Sequence, residues 1–242
     1  MGETRRVGDV YAVILAGGSG TRMNSPVPKQ FLMLGDAPVF VHAARKLLAD
    51  PRVKALWVGA NGDWYDLAAQ QIEAFLGGER VKLCQGGADR EATLLNTLDA
   101  IRAHNDVGPD DVVLIHDSVR PFLTGRIISD VISAMAHCDA CNTVVPLNDT
   151  IVQSADGKTV SGMPARGELF AGQSPQGFRL LPLLEAFRGL APAQRRQLTE
   201  TTKVCFVQVI AVHIVQGEFF NFKITTPYDW RIAQNNLDLL GR

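Results

Sequence analysis

V-I-L-A-G-G-S-G-T-R-M-N-S-P-V-P-K-Q, residues 13–30, is the stretch on which the reading of this chain turns. An apolar run over residues 10–15 reads as a buried strand, and it feeds a loop of small residues, Ala16-Gly17-Gly18-Ser19-Gly20. Arg22 follows at once and Lys29 comes seven residues later. Backbone amides approach an anion closely only where side chains are absent, so the loop reads as a phosphate cradle flanked by two long cations. That arrangement suits a triphosphate, and the two cations suggest charge handling during reaction. Two commoner phosphate motifs do not fit. The dinucleotide fingerprint G-x-G-x-x-G fails because Met23 stands where the third glycine belongs, and a Walker loop fails because no lysine follows Gly20. Without its flanking cations, the same loop would read as no more than a tight turn after a first strand.

The remainder of the chain sets bounds. Its 242 residues fit one large domain or two small ones, and a single unit over residues 1–242 is expected. A hydrophobic content of 46% against 20% charged residues is ordinary for a soluble globule. With 24 Lys and Arg against 25 Asp and Glu the net charge is -1, which offers no bulk field to nucleic acid or an anionic membrane. Phosphate binding must therefore come from locally placed cations. No apolar run approaches the roughly 20 residues of a bilayer span, and the polar start, Met1 to Arg6, is unlike a signal peptide. Cys84, Cys138, Cys141 and Cys205 are too few and scattered for a disulfide framework. Cys138 and Cys141 form a C-x-x-C but lack a second ligand pair, so they read as incidental thiols in a reducing cytoplasm, with a redox or metal role as the alternative.

Apolar runs at 10–15, 55–59, 112–115 and 143–146 read as buried strands, and segments 39–49, 66–75, 90–104 and 127–137 carry helical period. In the segment 90–104, Ala92, Leu94, Leu95, Leu98 and Ile101 gather on one side while Arg90, Glu91, Asn96 and Asp99 read as its polar face. Strands alternating with such helices predict an α/β domain with a mostly parallel sheet. Residues 147–172 are polar and turn-rich, with short strands expected at 150–153 and 159–162, which predicts a projecting β-arm of the kind that packs on a second subunit. Beyond it, 180–188 reads as a helix and 212–215 and 222–224 as strands. A last helix, reaching about residue 240, opens on Thr226 as N-cap, Pro227 as first residue and Asp229 at the third position.

Three further segments carry chemistry. The strand at 112–115 ends in His116-Asp117-Ser118-Val119-Arg120-Pro121, and in open α/β sheets ligands lie beyond the carboxyl ends of strands. Asp117 there can hold a divalent metal or a substrate hydroxyl, or simply pair with Arg120, and His116 can be a satisfied structural group. Gly86-Gly87-Ala88-Asp89 opens a helix whose free amides suit an acceptor such as a base or ribose, while Asp89 is equally an N-cap. Lys223, between Phe222 and Ile224, must reach water or an anion. Together the pieces suit nucleotidyl transfer: a phosphate monoester is already anionic and needs no general base, only relief of charge repulsion.

At this point the chain resembles the cytidylyltransferases that make CDP-alditols, from Tyr11 to about Gln234. The resemblance rests on L-A-G-G-S-G-T-R-M, P-K-Q-F-L, G-G-A-D-R, I-H-D-S-V-R-P-F, N-D-T-I-V, G-Q-S-P-Q-G-F and N-F-K-I-T-T-P-Y-D. It implies a Rossmann-like nucleotidyltransferase fold, CTP as co-substrate, Mg²⁺, and a homodimer linked through the β-arm at 147–172. It implies that Ala16, Gly17, Gly18, Gly20, Gly87, Ala88, Thr93, Ser118 and Arg120 line the CTP site, and that Arg22, Lys29 and Lys223 are the catalytic cations. Asp117 corresponds to a residue that contacts the polyol phosphate or the metal, and Thr150 and Arg166 to arm residues that enter the partner's site. L-A-G-G, H-D-S-V-R-P-F and G-E-F-F-N-F-K-I-T-T-P-Y-D look closer to the ribitol 5-phosphate branch, whose product serves wall polymers. The methylerythritol 4-phosphate branch, which usually opens P-A-A-G and serves isoprenoid synthesis, is the alternative. A nucleotidyltransferase for aldose phosphates and a non-catalytic nucleotide-binding protein are the other readings.

Overall fold

A computed structural model describes residues 4–18, 26–195, 198 and 200–241. The chain opens with β1 (Val10–Ala16), a short hairpin β2 (Met33–Leu34) and β3 (Ala37–Pro38), α1 (Val39–Ala49), β4 (Val53–Ala60), α2 (Tyr65–Phe75), β5 (Val81–Gln85) and α3 (Arg90–His104). It continues through β6 (Val112–Asp117), α4 (Gly125–Ala134), β7 (Ala140–Pro146), β8 (Phe170–Arg179), α5 (Leu180–Gly189), a single turn α6 (Pro192–Arg195), α7 (Thr202–Val207), β9 (Val212–Gln216) and α8 (Pro227–Gln234). The main sheet has the order β5-β4-β1-β6-β8-β7-β9. All its strands run one way except β8, which pairs antiparallel with both β6 and β7.

β1 is buried along its whole length. Both faces of the sheet are covered, so its sequence is a continuous apolar run rather than an alternation. Successive side chains still point to opposite faces. Val10, Ala12, Ile14 and Ala16 pack with Phe40, Ala44 and Leu47 of α1 and Ile128 and Val131 of α4. Tyr11, Val13 and Leu15 pack on the other side with Leu94, Leu98 and Ile101 of α3 and Leu183 and Phe187 of α5. β1 lies between β4 and β6, with Leu15 opposite both Gly59 and Asp117. The chain order of the strands reverses here, so the loops after β1 and β6 face each other across a crevice.

The last helix starts as expected: Thr226 Oγ1 accepts from the Asp229 amide at 3.2 Å, and the Asp229 carboxylate accepts from the Thr226 amide at 2.7 Å. α8 ends at Gln234, however, and a 3-10 turn (Leu237–Gly241) takes its place toward the C-terminus. Other expectations are corrected. Residues 222–224 form no strand; among the described residues the segment's link to a neighbouring strand end is one bond from the Ile224 amide to the Val119 carbonyl (2.9 Å). Of the two short arm strands only an antiparallel bridge, Gln153 to Gly162, is present. β5 was not foreseen. Nor was β8, whose first residues, 170–172, fall in the stretch read as arm. Glu91, read as part of a polar face, is buried.

Candidate active site

The crevice at the carboxyl ends of β1 and β6 holds a cavity of about 400 Å³ lined by Gly17, Gly18, Lys29, Ala88, Thr93, Asp117, Ser118 and Lys223, with Gln30, Asn61, Asp89 and Arg90 completing its wall. A volume of that order suits a nucleotide-sized ligand. Gly20 and Arg22 lie outside the described residues. Ala16, Gly87 and Arg120 sit behind the lining rather than on it. Thr150 and Arg166 lie exposed on the arm, where Arg166 Nη1 donates to the Asn148 carbonyl at 2.9 Å, and neither borders the cavity of its own chain.

The two glycines after β1 have different reasons for being glycine. A Cβ on Gly17 would stand 2.8 Å from Thr93 Oγ1, so that position is fixed by packing against α3. A Cβ on Gly18 would meet nothing within 4 Å among the described residues. Its missing side chain leaves open space on the cavity, as a close backbone approach to an anion requires. The buried Gln30 pins this turn: its Nε2 donates to the carbonyls of Ala16 (2.9 Å) and Gly18 (2.8 Å). Lys29, also buried, starts a 3-10 turn (Lys29–Phe31) and donates to the Thr225 carbonyl at 3.4 Å, joining the loop after β1 to the segment that carries Lys223.

The second wall is the start of α3. Asp89 caps it, accepting from the Ala92 amide at 2.7 Å. Thr93 Oγ1 donates to the Asp89 carbonyl (2.8 Å) and accepts from the Gly87 amide (3.1 Å). This hydroxyl thus ties the Gly86-Gly87 turn to its own helix. A Cβ on Gly87 would collide with Ala92, which accounts for the glycine without a ligand.

Asp117 is the electrostatic centre. Its Oδ2 lies 3.2 Å from Lys223 Nζ and 3.2 Å from Arg120 Nε, and Arg90 Nη2 stands 4.0 Å from Oδ1. Burial alone would raise the carboxyl pKa, but Lys223, Arg120 and Arg90 together hold it well below the usual carboxylate range. Arg120 spends its other donors on the Asn221 carbonyl (2.9 Å) and the Gly172 carbonyl (3.2 Å), so it braces the floor of the site. Asp117 and Arg120 thus pair, and the carboxylate still borders the cavity.

Beneath Asp117 runs a relay that the sequence did not disclose. The Asp117 amide donates to Ser174 Oγ at 3.1 Å, Ser174 Oγ lies 3.0 Å from His116 Nδ1, and His116 Nε2 lies 3.0 Å from the Arg120 carbonyl. A carbonyl only accepts, so Nε2 carries the proton and Nδ1 accepts from the serine hydroxyl. Burial pushes the His116 pKa down to about 4, with the bond to the Arg120 carbonyl opposing. The imidazole is thus neutral at pH 7 and locks both ends of the Asp117–Arg120 turn. Ser174 and His116 are separated by 58 residues in sequence. Arg90, Gln30, Asn61, Ser174 and Asn221 were likewise not singled out. The one signal for Arg90 is its place directly after the helix N-cap, where a long cation can turn back toward the sheet.

The family described as 2-C-methyl-D-erythritol 4-phosphate cytidylyltransferase matches residues 10–238. The chain belongs to this family. It is 43% identical over 225 residues to the ribitol-5-phosphate cytidylyltransferase of Lactiplantibacillus plantarum, covering 93% of this chain and 96% of the relative. It is 40% identical over 232 residues to the ribitol-5-phosphate cytidylyltransferase of Streptococcus pneumoniae, covering 95% and 99%. Its fold is that of the crystal structure of 4-diphosphocytidyl-2C-methyl-D-erythritol synthase from Anaerococcus prevotii, with a TM-score of 0.78 at 23% identity over 95% of this chain and 96% of the other. The expected α/β fold and the expected cytidylyltransferase family are both found.

Proposed function

We propose that this cytidylyltransferase binds CTP in the cavity between the loops after β1 and β6 and transfers its cytidylyl group to D-ribitol 5-phosphate, giving CDP-ribitol and pyrophosphate. Identity of 40–43% over nearly the whole chain to two ribitol-5-phosphate cytidylyltransferases carries the choice of polyol. The methylerythritol 4-phosphate reading has the family description on its side, but the likeness to the methylerythritol synthase structure is 23%.

In this reading a phosphate oxygen of the polyol attacks the α-phosphorus of CTP. One P–O bond forms, the α–β bridging P–O bond breaks, and pyrophosphate departs with the electron pair. The attacking phosphate is already ionised, so no residue needs to remove a proton. The chain has to hold two polyanions together and stabilise charge on the transferring phosphoryl group. Gly17 and Gly18 offer the β1 loop to the triphosphate, with Ala16 behind them and Gly20 belonging to the same glycine-rich motif. Arg22, Lys29 and Lys223 supply the charge. Ala88 and Thr93 face the base, with the Gly87 backbone behind them, and Ser118 and Arg120 hold the far wall.

A metal fits this donor set in a limited way. Among the described residues no group of three His, Cys, Asp or Glu side chains converges on one point. Asp117 is an ionised hard-oxygen donor at the cavity wall, and Mg²⁺ typically takes one or two carboxylates, phosphate oxygens and water. Asp117 would hold it, and Mg²⁺ would supply neutralisation of phosphate charge when bound.

The chain acts as one unit over residues 1–242, and the arm at 147–172 joins two copies into a homodimer. Val152, Val160, Met163 and Phe170 expose apolar surface there, which supports burial against a second copy. Thr150 and Arg166 then reach the partner's site to hold the polyol phosphate. Arg166→Ala is expected to raise the KM for the polyol phosphate by about tenfold or more with CTP binding unchanged; unaltered kinetics would take the arm out of the site. A cytoplasmic location and small-molecule substrates, with neither nucleic acid nor membrane as partner, complete the proposal. Pyrophosphate release with ribitol 5-phosphate and each of CTP, UTP, ATP and GTP tests the base: turnover should need CTP, and equal rates with all four would refute the reading.

A further inference from the structure

Arg90 and Glu91 are the first two residues of α3. Glu91 is 5% exposed, unusual for a glutamate on a helix that borders open space. Its Oε1 accepts from Arg90 Nη1 at 2.8 Å, while its buried Oε2 has no hydrogen-bond partner among the described residues. The same Arg90 Nη1 donates to Thr201 Oγ1 at 2.8 Å. Thr201 is fully buried and stands immediately before α7, 111 residues away in sequence. On its other side Arg90 borders the cavity, with Nη2 4.0 Å from Asp117 Oδ1.

This brace has no ready explanation in stability. Burial raises the Glu91 pKa, Arg90 opposes the rise, and the nearby Glu200 and Asp89 add to it. A buried ion pair of this kind contributes little to stability relative to apolar residues of the same volume, and one with an unpartnered oxygen contributes less. What the pair does achieve is orientation. A guanidinium is planar, so two acceptors on one nitrogen fix the plane and the direction of the remaining donors. Those donors meet the cavity beside Asp117. Of the three cations around Asp117, Arg90 is the most distant. It is therefore the one that can leave the carboxylate for an incoming anion at least cost.

We propose that Glu91 and Thr201 are positioning residues that aim the Arg90 guanidinium at an anionic phosphate group of the substrates docking beside Asp117, which ties Thr201, at the start of α7, to the active site. The inference rests on the cytidylyltransferase reading and adds to it two residues that touch neither nucleotide nor polyol.

A double-mutant cycle on the full-length protein tests it, with kcat/KM for CTP, CTP affinity by calorimetry and the thermal midpoint measured in each variant. Arg90→Ala is expected to lower kcat/KM by about 10- to 100-fold and Glu91→Gln by about tenfold, with little change in the thermal midpoint. In the Arg90→Ala background, Glu91→Gln should change kcat/KM by less than about twofold, because the group it positions is gone. A similar tenfold loss in both backgrounds, or a loss that tracks a lowered midpoint, would overturn the proposal. Should Glu91→Gln fail to fold, Thr201→Val against Thr201→Ser carries the same test: serine keeps the acceptor and should keep activity, and equal loss in both would contradict it. Wild-type protein that binds no CTP would instead overturn the function reading on which this rests. Binding without turnover leaves the same cycle to be read in CTP affinity.

Discussion

Replacing Lys223 by alanine is expected to lower kcat by about 10²–10³-fold while shifting CTP affinity less than about fivefold. The reason is the position of the ammonium group. Lys223 Nζ stands 3.2 Å from Asp117 Oδ2 at the cavity wall, and its side chain is 41% exposed, so its charge faces the site rather than the core. The extended segment that carries it is fixed by Ile224, which is buried, and by the packing of Phe222 on Phe122 at 5.2 Å between ring centroids. Loss of the ammonium group should therefore leave the fold intact. Ground-state binding of the triphosphate draws on several donors, and removing one is tolerable. Charge that develops as pyrophosphate leaves has fewer partners, so turnover carries the loss. Steady-state kinetics combined with calorimetric CTP binding separates the two. Equal losses in affinity and turnover would mean that Lys223 only docks substrate.

Acid is expected to destabilise the protein in a defined window. The pKa of His116 moves from 6.5 to about 4 on folding. A histidine whose folded pKa is depressed adds nothing to the pH dependence above its unfolded value, where it is neutral in both states. As pH falls below about 6.5 the unfolded chain takes up a proton that the folded chain refuses, and stability drops until about pH 4. The shift corresponds to roughly 3 kcal/mol, a large share of the stability of an ordinary domain. His42 is shifted down as well, first by burial, and adds in the same direction. Asp117, whose folded pKa is depressed, stabilises the fold above its unfolded value near 3.8 and loses that contribution only at still lower pH. Denaturant titrations from pH 8 to pH 4, with NMR titration of the His116 ring, check the assignment. The ring should stay neutral down to about pH 5 while stability declines. A ring that titrates near 6.5, or flat stability from pH 7 to pH 5, would contradict the neutral relay.

Local pattern was legible where one segment contains the whole signal. The run before Gly17, the helix from Arg90 to His104 and the Thr226–Asp229 capping box are contained in stretches of four to fifteen residues, and each is present. β8 was hidden because its central residues, Gln173-Ser174-Pro175-Gln176-Gly177, carry neither an apolar run nor an alternating pattern, and a proline interrupts them. Those residues are nonetheless central in the sheet: Gln176 pairs with both Ile115 and Asn142. The polar side chains there serve the site, with Ser174 bonded to His116 and Gln173 to the Glu218 carbonyl (2.9 Å). The same cause explains the missed residues. Gly18, Lys29, Asp117 and Lys223 sit in motifs that announce a phosphate site by composition. Ser174, Arg90 and Thr201 acquire their roles from contacts 57 and 111 residues apart, which no periodicity encodes. Glu91 was placed on the polar face of α3 because a glutamate normally avoids burial, and its ion pair with Arg90 is what permits it.

The most direct measurement of the central claim is the ratio of kcat/KM for ribitol 5-phosphate to that for methylerythritol 4-phosphate, with CTP and Mg²⁺ and the product identified by mass. A site that hydrogen-bonds substrate hydroxyls can discriminate analogues strongly. A ratio above about 100 with CDP-ribitol as product is the predicted result. A ratio below one, or turnover of neither polyol phosphate, would contradict the account.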